Sequence, residues 1–321
     1  MKKKKINLLL IIIFIMLSIS SLFIGVKGIS IKDVFSLHNN ESTIIMISRL
    51  PRLLSIIITG AGMSVSGIIM QQISRNKFVS PTTAGTVEFT KLGIAVAIIM
   101  FSGAGLFTKM SIAFLFSLFG TFVFIKVIGR IKFKDAVFIP LVGMMIGGII
   151  DSITTFLTYR NDLIQNVSSW MQGDFSLIMK GRYELLYIGI PVFVIAFIYA
   201  NKFTIVGMGE DFATNLGLNH RQVMNIGLVI VSLMISVVVI TIGSIPFLGL
   251  IVPNIVSIYN GDNLRANLWY TIIAGPIFLL ICDIAGRLII YPYEIPIGTT
   301  AGTIGSAVFL YLILRRRKNE K

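Results

Sequence analysis

Apolar residues gather into ten stretches along this chain, at about 6–25, 51–72, 87–103, 110–128, 136–158, 184–200, 223–243, 246–260, 268–290 and 298–314. A helix needs about 20 predominantly apolar residues to cross a bilayer. The pattern therefore predicts an all-α polytopic membrane protein with about ten transmembrane helices. Pro253, Asp262 and Arg265 interrupt it and blur the eighth and ninth spans. Lys2 to Lys5 followed by the run from Ile6 to Gly25 superficially resembles a signal peptide. The run is longer than the usual stretch of about 7–15 residues, and its small-x-small site, Ser18-Ile-Ser20, falls inside it. It reads as an uncleaved first span.

An even number of spans puts both termini on one side. About two thirds of the 28 Lys and Arg lie in segments that include Lys2 to Lys5, Arg75, Lys77, Arg130 to Lys134 and Arg315 to Lys318. By the positive-inside rule those segments and both termini are cytosolic. Lys27, Lys32, Arg49, Arg52, Arg160 and Arg287 then fall toward the outer face. Several spans carry small residues four apart: Gly60 and Ser64, Gly62 and Ser66, Gly143 and Gly147, Gly298 and Gly302. Such faces let helices approach closely in lipid, which argues for tight packing and not for a function.

Composition sharpens the class. Hydrophobic residues make up 55% of the 321, mean hydropathy is +0.89, and 13% of residues are charged, against about 25% in a soluble domain. Ten spans leave about 11 residues for each loop or tail, so no sizeable extramembrane domain fits and residues 1–321 read as one transmembrane domain. The net charge of +14 reflects scarce acids, 14 against 28 bases, and a nucleic-acid patch would need surface that such a chain lacks. One cysteine, Cys282, and two histidines, His38 and His220, argue against a disulfide framework or a His/Cys metal site. No Gly-Lys dipeptide occurs, so there is no P-loop. A membrane enzyme would need a convergent His/Asp/Ser or metal-ligand set, and none is visible.

Several longer motifs remain. They are Arg49-Leu-Pro-Arg52 leading into Gly60-Ala-Gly-Met-Ser-Val-Ser-Gly67, and Gln71-Gln-Ile-Ser-Arg-Asn-Lys-Phe-Val-Ser-Pro81. Then come Gly209-Glu-Asp-Phe-Ala-Thr-Asn-Leu-Gly-Leu-Asn219, Gly243-Ser-Ile-Pro-Phe-Leu-Gly-Leu-Ile-Val-Pro253 and Glu294-Ile-Pro-Ile-Gly298. In this order, from about residue 45 to the end, they resemble the iron-siderophore and vitamin B12 permease family of ATP-binding-cassette (ABC) importers. The resemblance implies a type II ABC importer permease fold with ten spans. It departs from the family at Pro253-Asn254, where Pro-His is common, and at Asn76-Lys-Phe-Val79, where Asn-Pro-Leu-Ala is common. Thr82 to Lys91 is similar to the branch that handles catecholate or mixed catecholate siderophores.

The resemblance implies translocation of a ferric siderophore of catecholate type across the cytoplasmic membrane, with haem or cobalamin as the alternative cargo. It implies a second permease subunit, identical or paralogous, two cytosolic ATPase subunits and an extracytoplasmic substrate-binding protein. No cofactor or metal is expected on this chain, since ATP belongs to the partner subunit. The rival class is a secondary transporter driven by protons or sodium.

Particular residues carry these expectations. Gly209, Glu210, Asp211, Phe212, Ala213, Leu216 and Gly217 predict a short cytosolic helix within about 209–219. Its acids sit at the N-terminus, Phe212, Ala213 and Leu216 share a face, and Gly217 closes it. It is either a surface helix or, by the resemblance, a coupling helix that docks on the ATPase. Arg49 and Arg52 lie three apart, with Ser48 and Pro51 fitting a helix start. By the resemblance, Arg49, Arg52 and Arg287 meet acids of the binding protein. The alternatives are snorkelling to lipid phosphates and, for Arg287, neutralisation by Asp283 four residues earlier. Glu294 suits the N-terminus of the last span. Gln71 and Gln72 are candidates for the inner mouth of a pathway. Asp151 is the one unpaired carboxylate well inside a span and the third pathway candidate; Glu88 and Lys91, three apart, are expected to pair with each other. Trp170 suits an interfacial aromatic belt.

Overall fold

The computed structural model describes residues 2–25, 44–130, 138–261 and 263–319. His38, Lys27, Lys32, Lys132, Lys134 and Asp262 lie outside them. Twelve α-helices order the described chain. They are α1 (Lys2–Phe23), α2 (Leu50–Ile73), α3 (Thr86–Met100), α4 (Leu106–Ile128), α5 (Phe138–Arg160) and α6 (Ile164–Met171), then α7 (Gly189–Gly207), α8 (Glu210–Asn215), α9 (His220–Thr241), α10 (Leu248–Asn260), α11 (Leu264–Leu288) and α12 (Ile297–Asn319).

Seven of these are long and apolar enough to span a membrane, counting α2 with the turn before it as Ile45–Ile73. Two shorter helices, α3 and α10, and the apolar part of α12, Ile297–Leu312, bring the total to the ten expected spans. The two additional helices, α6 and α8, are 8 and 6 residues long. α6 was not visible in the hydrophobic pattern, because it is too short and too polar to register as a span. Pro51 does not start its helix as expected. A π-helical turn, Ile45–Arg49, runs directly into α2, so the N–H that Pro51 lacks falls within helical backbone, and Ile47 O accepts from Lys180 N–H instead (3.2 Å).

Burial sorts the bundle from inside to outside. The apolar window of α2 is 89% buried and that of α9 72%, whereas that of α1 is 6% buried. α2 is therefore the central post and α1 a peripheral strut. Its sequence explains the position: Ser55, Thr59, Gly60, Ala61, Gly62, Ser64, Ser66 and Gly67 are all buried, and small residues admit neighbours on every side. A methyl group on Gly60 would lie 2.6 Å from the backbone N of Pro276 in α11. One on Gly67 would overlap the Gly249 carbonyl of α10.

Two spans are half-length for a common reason. After α2, the chain turns at Arg75 (φ 46) and reaches a 3₁₀ turn, Pro81–Ala84, that packs against Gly143 and Gly147 in the middle of α5. α3 thus begins inside the bundle and is 15 residues long, about 22 Å. After α9, residues 242–247 pass back along Gly173, with Asp174 N–H donating to Ile242 O (3.0 Å) and Ser244 N–H to Met171 O (2.9 Å). Phe247 (φ 63), 6.3 Å from the Phe309 ring, then starts the 13-residue α10. The two inner starts touch: a methyl on Gly249 would lie 2.5 Å from Pro81 Cγ. Irregular backbone at this depth is tolerated because protein buries it.

Candidate functional site

The expected site residues divide among three places: the outer end, the middle and the cytosolic end. At the outer end the helix α1 finishes with carbonyls that have no intrahelical donor. Two arginines supply donors. Arg49 Nη1 donates to Leu22 O (2.6 Å) and Phe23 O (3.2 Å), while Arg287 Nη1 donates to Ser21 O (3.0 Å) and Ile24 O (2.7 Å). Arg287 also donates to Ser21 Oγ (2.8 Å) and is ion-paired with Asp283 one turn earlier. Arg52 completes the cluster. Its Nε and Nη2 reach Asp283 Oδ1 at 3.2 and 2.8 Å, and its Nη1 reaches Glu294 Oε2 at 2.6 Å.

In this structure Arg52 and Arg287 face the bundle, while Arg49 is partly exposed. The side chains of Arg52, Arg287 and Asp283 are 13%, 4% and 2% exposed. Asp283 neutralises Arg287 on its own helix, the alternative that the four-residue spacing left open. Glu294 spends its charge on Arg52, not on the start of α12 as expected.

In the middle, Asp151 lies nine residues before the outer end of α5 at Arg160, about 14 Å along the helix and thus near the centre of a hydrocarbon core about 30 Å thick. Two expectations are corrected here. Asp151 is not unpaired, and Lys91 does not pair with Glu88: Lys91 Nζ donates to Asp151 Oδ1 at 2.7 Å, tying α3 to α5. The early turn at Gly85 aims α3 along α5, so Lys91 reaches across helices instead of back along its own. Glu88 Oε2 is buried without a hydrogen-bond partner. The three charges line a cavity of about 650 Å³ together with Met144, Gly147, Gly148, Ser168, Gln172 and Ser244. Asp151 is 47% exposed, and a charge facing lipid at this depth costs about 2.5–3.5 kcal/mol. This face of α5 suits water or protein. Trp170, expected in an interfacial belt, donates its Nε1–H to Ile240 O (3.1 Å) and is partly buried against α9.

At the cytosolic end the expected short helix is present as α8. Gly209 (φ 125) opens it, and a Schellman arrangement closes it. Leu218 N–H donates to Ala213 O (3.0 Å) and Gly217 N–H to Thr214 O (2.9 Å), with Gly217 at φ 76. Asn219 Oδ1 then accepts from Gln222 N–H (3.0 Å) and caps α9. Glu210 and Asp211 occupy the first turn. The apolar residues do not share one face as expected. Ala213 is fully buried against the body, whereas Phe212 and Leu216 are 45% and 56% exposed. Phe212 and Leu216 stand four residues apart on the outward side, and Met208, ahead of the Gly209 turn, is exposed as well.

Gln71 and Gln72 line a second cavity, of about 320 Å³, with Arg75, Asn76, Met208, Pro253, Ser257 and Asn267 among its walls. The structure thus joins the glutamines to the approach of α8 through Met208, and places Asp151 in a separate cavity. Gln71 is buried and donates to Leu250 O at 3.4 Å. Asn254, where the sequence departs from Pro-His, donates to Lys77 O (2.8 Å) and Leu250 O (2.7 Å). It fastens the post-α2 turn to α10.

This arrangement of ten spans, two inward helix starts and one cytosolic docking-sized helix can be set against known proteins. A model of the FecCD transport family matches residues 10–315. The chain belongs to the FecCD transport family. This FecCD permease is 58% identical over 308 residues to the petrobactin import system permease protein YclN of Bacillus subtilis, covering 96% of its own length and 98% of that protein. It is 36% identical over 309 residues to the ferric-anguibactin transport system permease protein FatD of Vibrio anguillarum, again covering 96% and 98%. Among solved structures, its fold matches an inward-facing metal-chelate type ABC transporter with a TM-score of 0.87 at 23% identity, over 97% and 99% of the two chains. The FecCD chain is a multi-pass permease of the cytoplasmic membrane, the transmembrane subunit of an ABC importer that operates with ATPase and binding-protein partners.

Proposed function

We propose that this permease forms half of the membrane passage of an ATP-driven importer for a ferric siderophore of catecholate type, with a second permease copy or paralogue opposite it. The single observation that carries the coupling side of this reading is α8. It is a glycine-bounded helix whose Ala213 fixes it to the bundle while Phe212 and Leu216 project outward, as a helix docked in a groove of an ATPase requires. Two relatives whose names specify petrobactin and ferric-anguibactin import support the cargo class. Iron enters already chelated, so the chain needs no ligands of its own to hold it.

On the outer side, docking of a binding protein through Arg49, Arg52 and Arg287 takes the form of an exchange. Arg52, 13% exposed beside a Glu294 that is 24% exposed, is the one placed to trade Glu294 for an acid of the incoming protein. Charge reversal at Arg52 then weakens docking and is partly rescued by reversing the partner's acid. Gln71 and Gln72 line the inner mouth of the passage, and Asp151 lines its middle. The deciding test is uptake of a panel of iron-loaded siderophores in a deletion strain carrying the chain, with proton and sodium gradients collapsed and ATP present. Uptake that persists supports the reading. Uptake that stops with the gradients refutes it in favour of an ion-coupled carrier.

A further inference from the structure

The cytosolic cavity of about 320 Å³ is a concave set of donors. Arg75 and Lys77 bring two cations to it, Gln72, Asn76 and Ser257 are among its neutral polar walls, and none of the described lining residues is Asp or Glu. Burial grades it from back to mouth: Gln71 is 8% exposed, whereas Arg75 is exposed. The left-handed turn at Arg75 (φ 46) sets three consecutive residues, Arg75, Asn76 and Lys77, on one wall. Asn76 Oδ1 accepts from Phe78 N–H (2.9 Å), which occupies the acceptor and leaves the amide donors spare. Lys77 Nζ is steadied by Ser257 Oγ (3.2 Å). The Arg75 guanidinium donates to no described residue and stands beside α8, since a methyl on Gly209 would lie 3.2 Å from its Nη1.

The depth is that of the cytosolic headgroups. α2 descends from the outer end at Leu50 to Ile73, and Arg75 follows two residues later. Tyr259 and Trp269, each two residues from a cavity wall at Ser257 and Asn267, are 81% and 51% exposed, and exposed aromatics of this kind sit at the membrane interface. We propose that this cavity is a phosphate site at the cytosolic membrane surface, filled by an anionic phospholipid headgroup or by a free phosphate ion, with the Arg75 fork as its principal ligand. A guanidinium engages phosphate oxygens two at a time, and basic pockets between transmembrane helices on the cytosolic side suit anionic headgroups. The neighbouring aromatics favour lipid as the source. The volume, at the lower end of small-molecule sites, suits a headgroup better than a whole siderophore chelate. Phosphate held there ties the membrane surface to the junction of α2 with α8.

The test uses the complete importer, purified in neutral detergent and phosphate-free buffer. Native mass spectrometry reads retained lipid during titration with phosphatidylglycerol or phosphatidylcholine, and thermal melting reads inorganic phosphate. Arg75→Gln is expected to lower phosphatidylglycerol affinity about tenfold, the scale of one charge-assisted hydrogen-bonded pair, with little change for phosphatidylcholine. Arg130→Gln removes the same charge from an exposed cytosolic position outside the cavity and is expected to lose little of either lipid. That pattern supports the site and assigns it to lipid. A rise in wild-type melting with inorganic phosphate that is absent in Arg75→Gln, without lipid selectivity, supports the site and assigns it to the free ion. No response to either probe overturns the proposal. Equal losses for Arg75→Gln and Arg130→Gln also overturn it, leaving only the general attraction of a basic surface. Occupancy by a ferric catecholate chelate and by neither phosphate probe hands the cavity to the cargo and overturns it as well. Should Arg75→Gln not fold, Lys77→Gln is expected to show the same selective loss, and affinity equal to wild type overturns the proposal.

Discussion

Asp283→Ala removes the shared acceptor of the outer cluster. In the native chain this carboxylate, 2% exposed, accepts from Arg52 Nε and Nη2 and from Arg287. Its loss leaves Arg287 buried with only neutral partners, the carbonyls of Ser21 and Ile24 and the Ser21 hydroxyl. Breaking one side of a buried pair costs about 3–5 kcal/mol, because the surviving charge stays desolvated. Arg52 retains Glu294, which places the expected cost near the lower end, about 3 kcal/mol. Glu294→Ala removes one partner at 24% exposure, where solvent screens the charge, and is expected to cost about 1 kcal/mol or less. The assay is equilibrium unfolding of the purified permease by SDS in mixed micelles, followed by helical circular dichroism. A double-mutant cycle adds Arg52→Ala, whose cost should fall by about 0.5–3 kcal/mol in the Asp283→Ala background. A cost for Asp283→Ala no larger than that for Glu294→Ala, or full additivity with Arg52→Ala, would refute the shared-acceptor reasoning.

Three further outcomes follow from the packing. Phe212→Asp with Leu216→Asp should reduce copurification of the ATPase subunit about tenfold or more, two exposed apolar anchors being lost, while permease yield and melting stay unchanged because both side chains face outward; unchanged copurification would contradict the docking role of α8. Gly67→Ala should destabilise by about 1–3 kcal/mol or prevent insertion, since its methyl overlaps the Gly249 carbonyl, a backbone atom that cannot swing aside; near-native unfolding would show that α2 and α10 separate easily. Asn254→Ala should cost about 1–2 kcal/mol, as its amide is a donor to both Lys77 O and Leu250 O, and should raise proteolysis between residues 74 and 80; protection equal to wild type would sink it.

Much of this architecture was legible in the chain because bilayer physics leaves few options. Long apolar runs must be helices, and small residues four apart in α2 had to mark a crowded centre. The glycines at 209 and 217 bounded α8 before any coordinates, since a left-handed closing residue is a local demand. What stayed hidden was long-range pairing. Lys91 and Glu88 are sequence neighbours, and nothing local reveals that the turn at Gly85 points Lys91 at Asp151, 60 positions away. The partners of the arginines were hidden in the same way. Their partners include the final carbonyls of α1, and backbone acceptors leave no trace in side-chain identity.

The two half-length spans explain why the charged middle and the cytosolic helix belong to one machine. α10 starts inside the bundle against α2, and its Gly249 meets Pro81 of the turn that leads into α3; the two helices run in opposite directions, toward Lys91 and Asp151 on one side and toward Asn254 and Ser257 on the other. Close-packed backbone at their meeting point is poorly compressible, so a push at the cytosolic end is carried as a shift of packed elements, not absorbed. The cavity lined by Gln71, Gln72 and Met208 supplies the slack on the inner side, and the cavity of Glu88 supplies it on the outer side. On the coupling reading proposed for α8, a stiff centre between two compliant cavities is what such a permease needs, because work received at that helix must reach the passage about half a bilayer away.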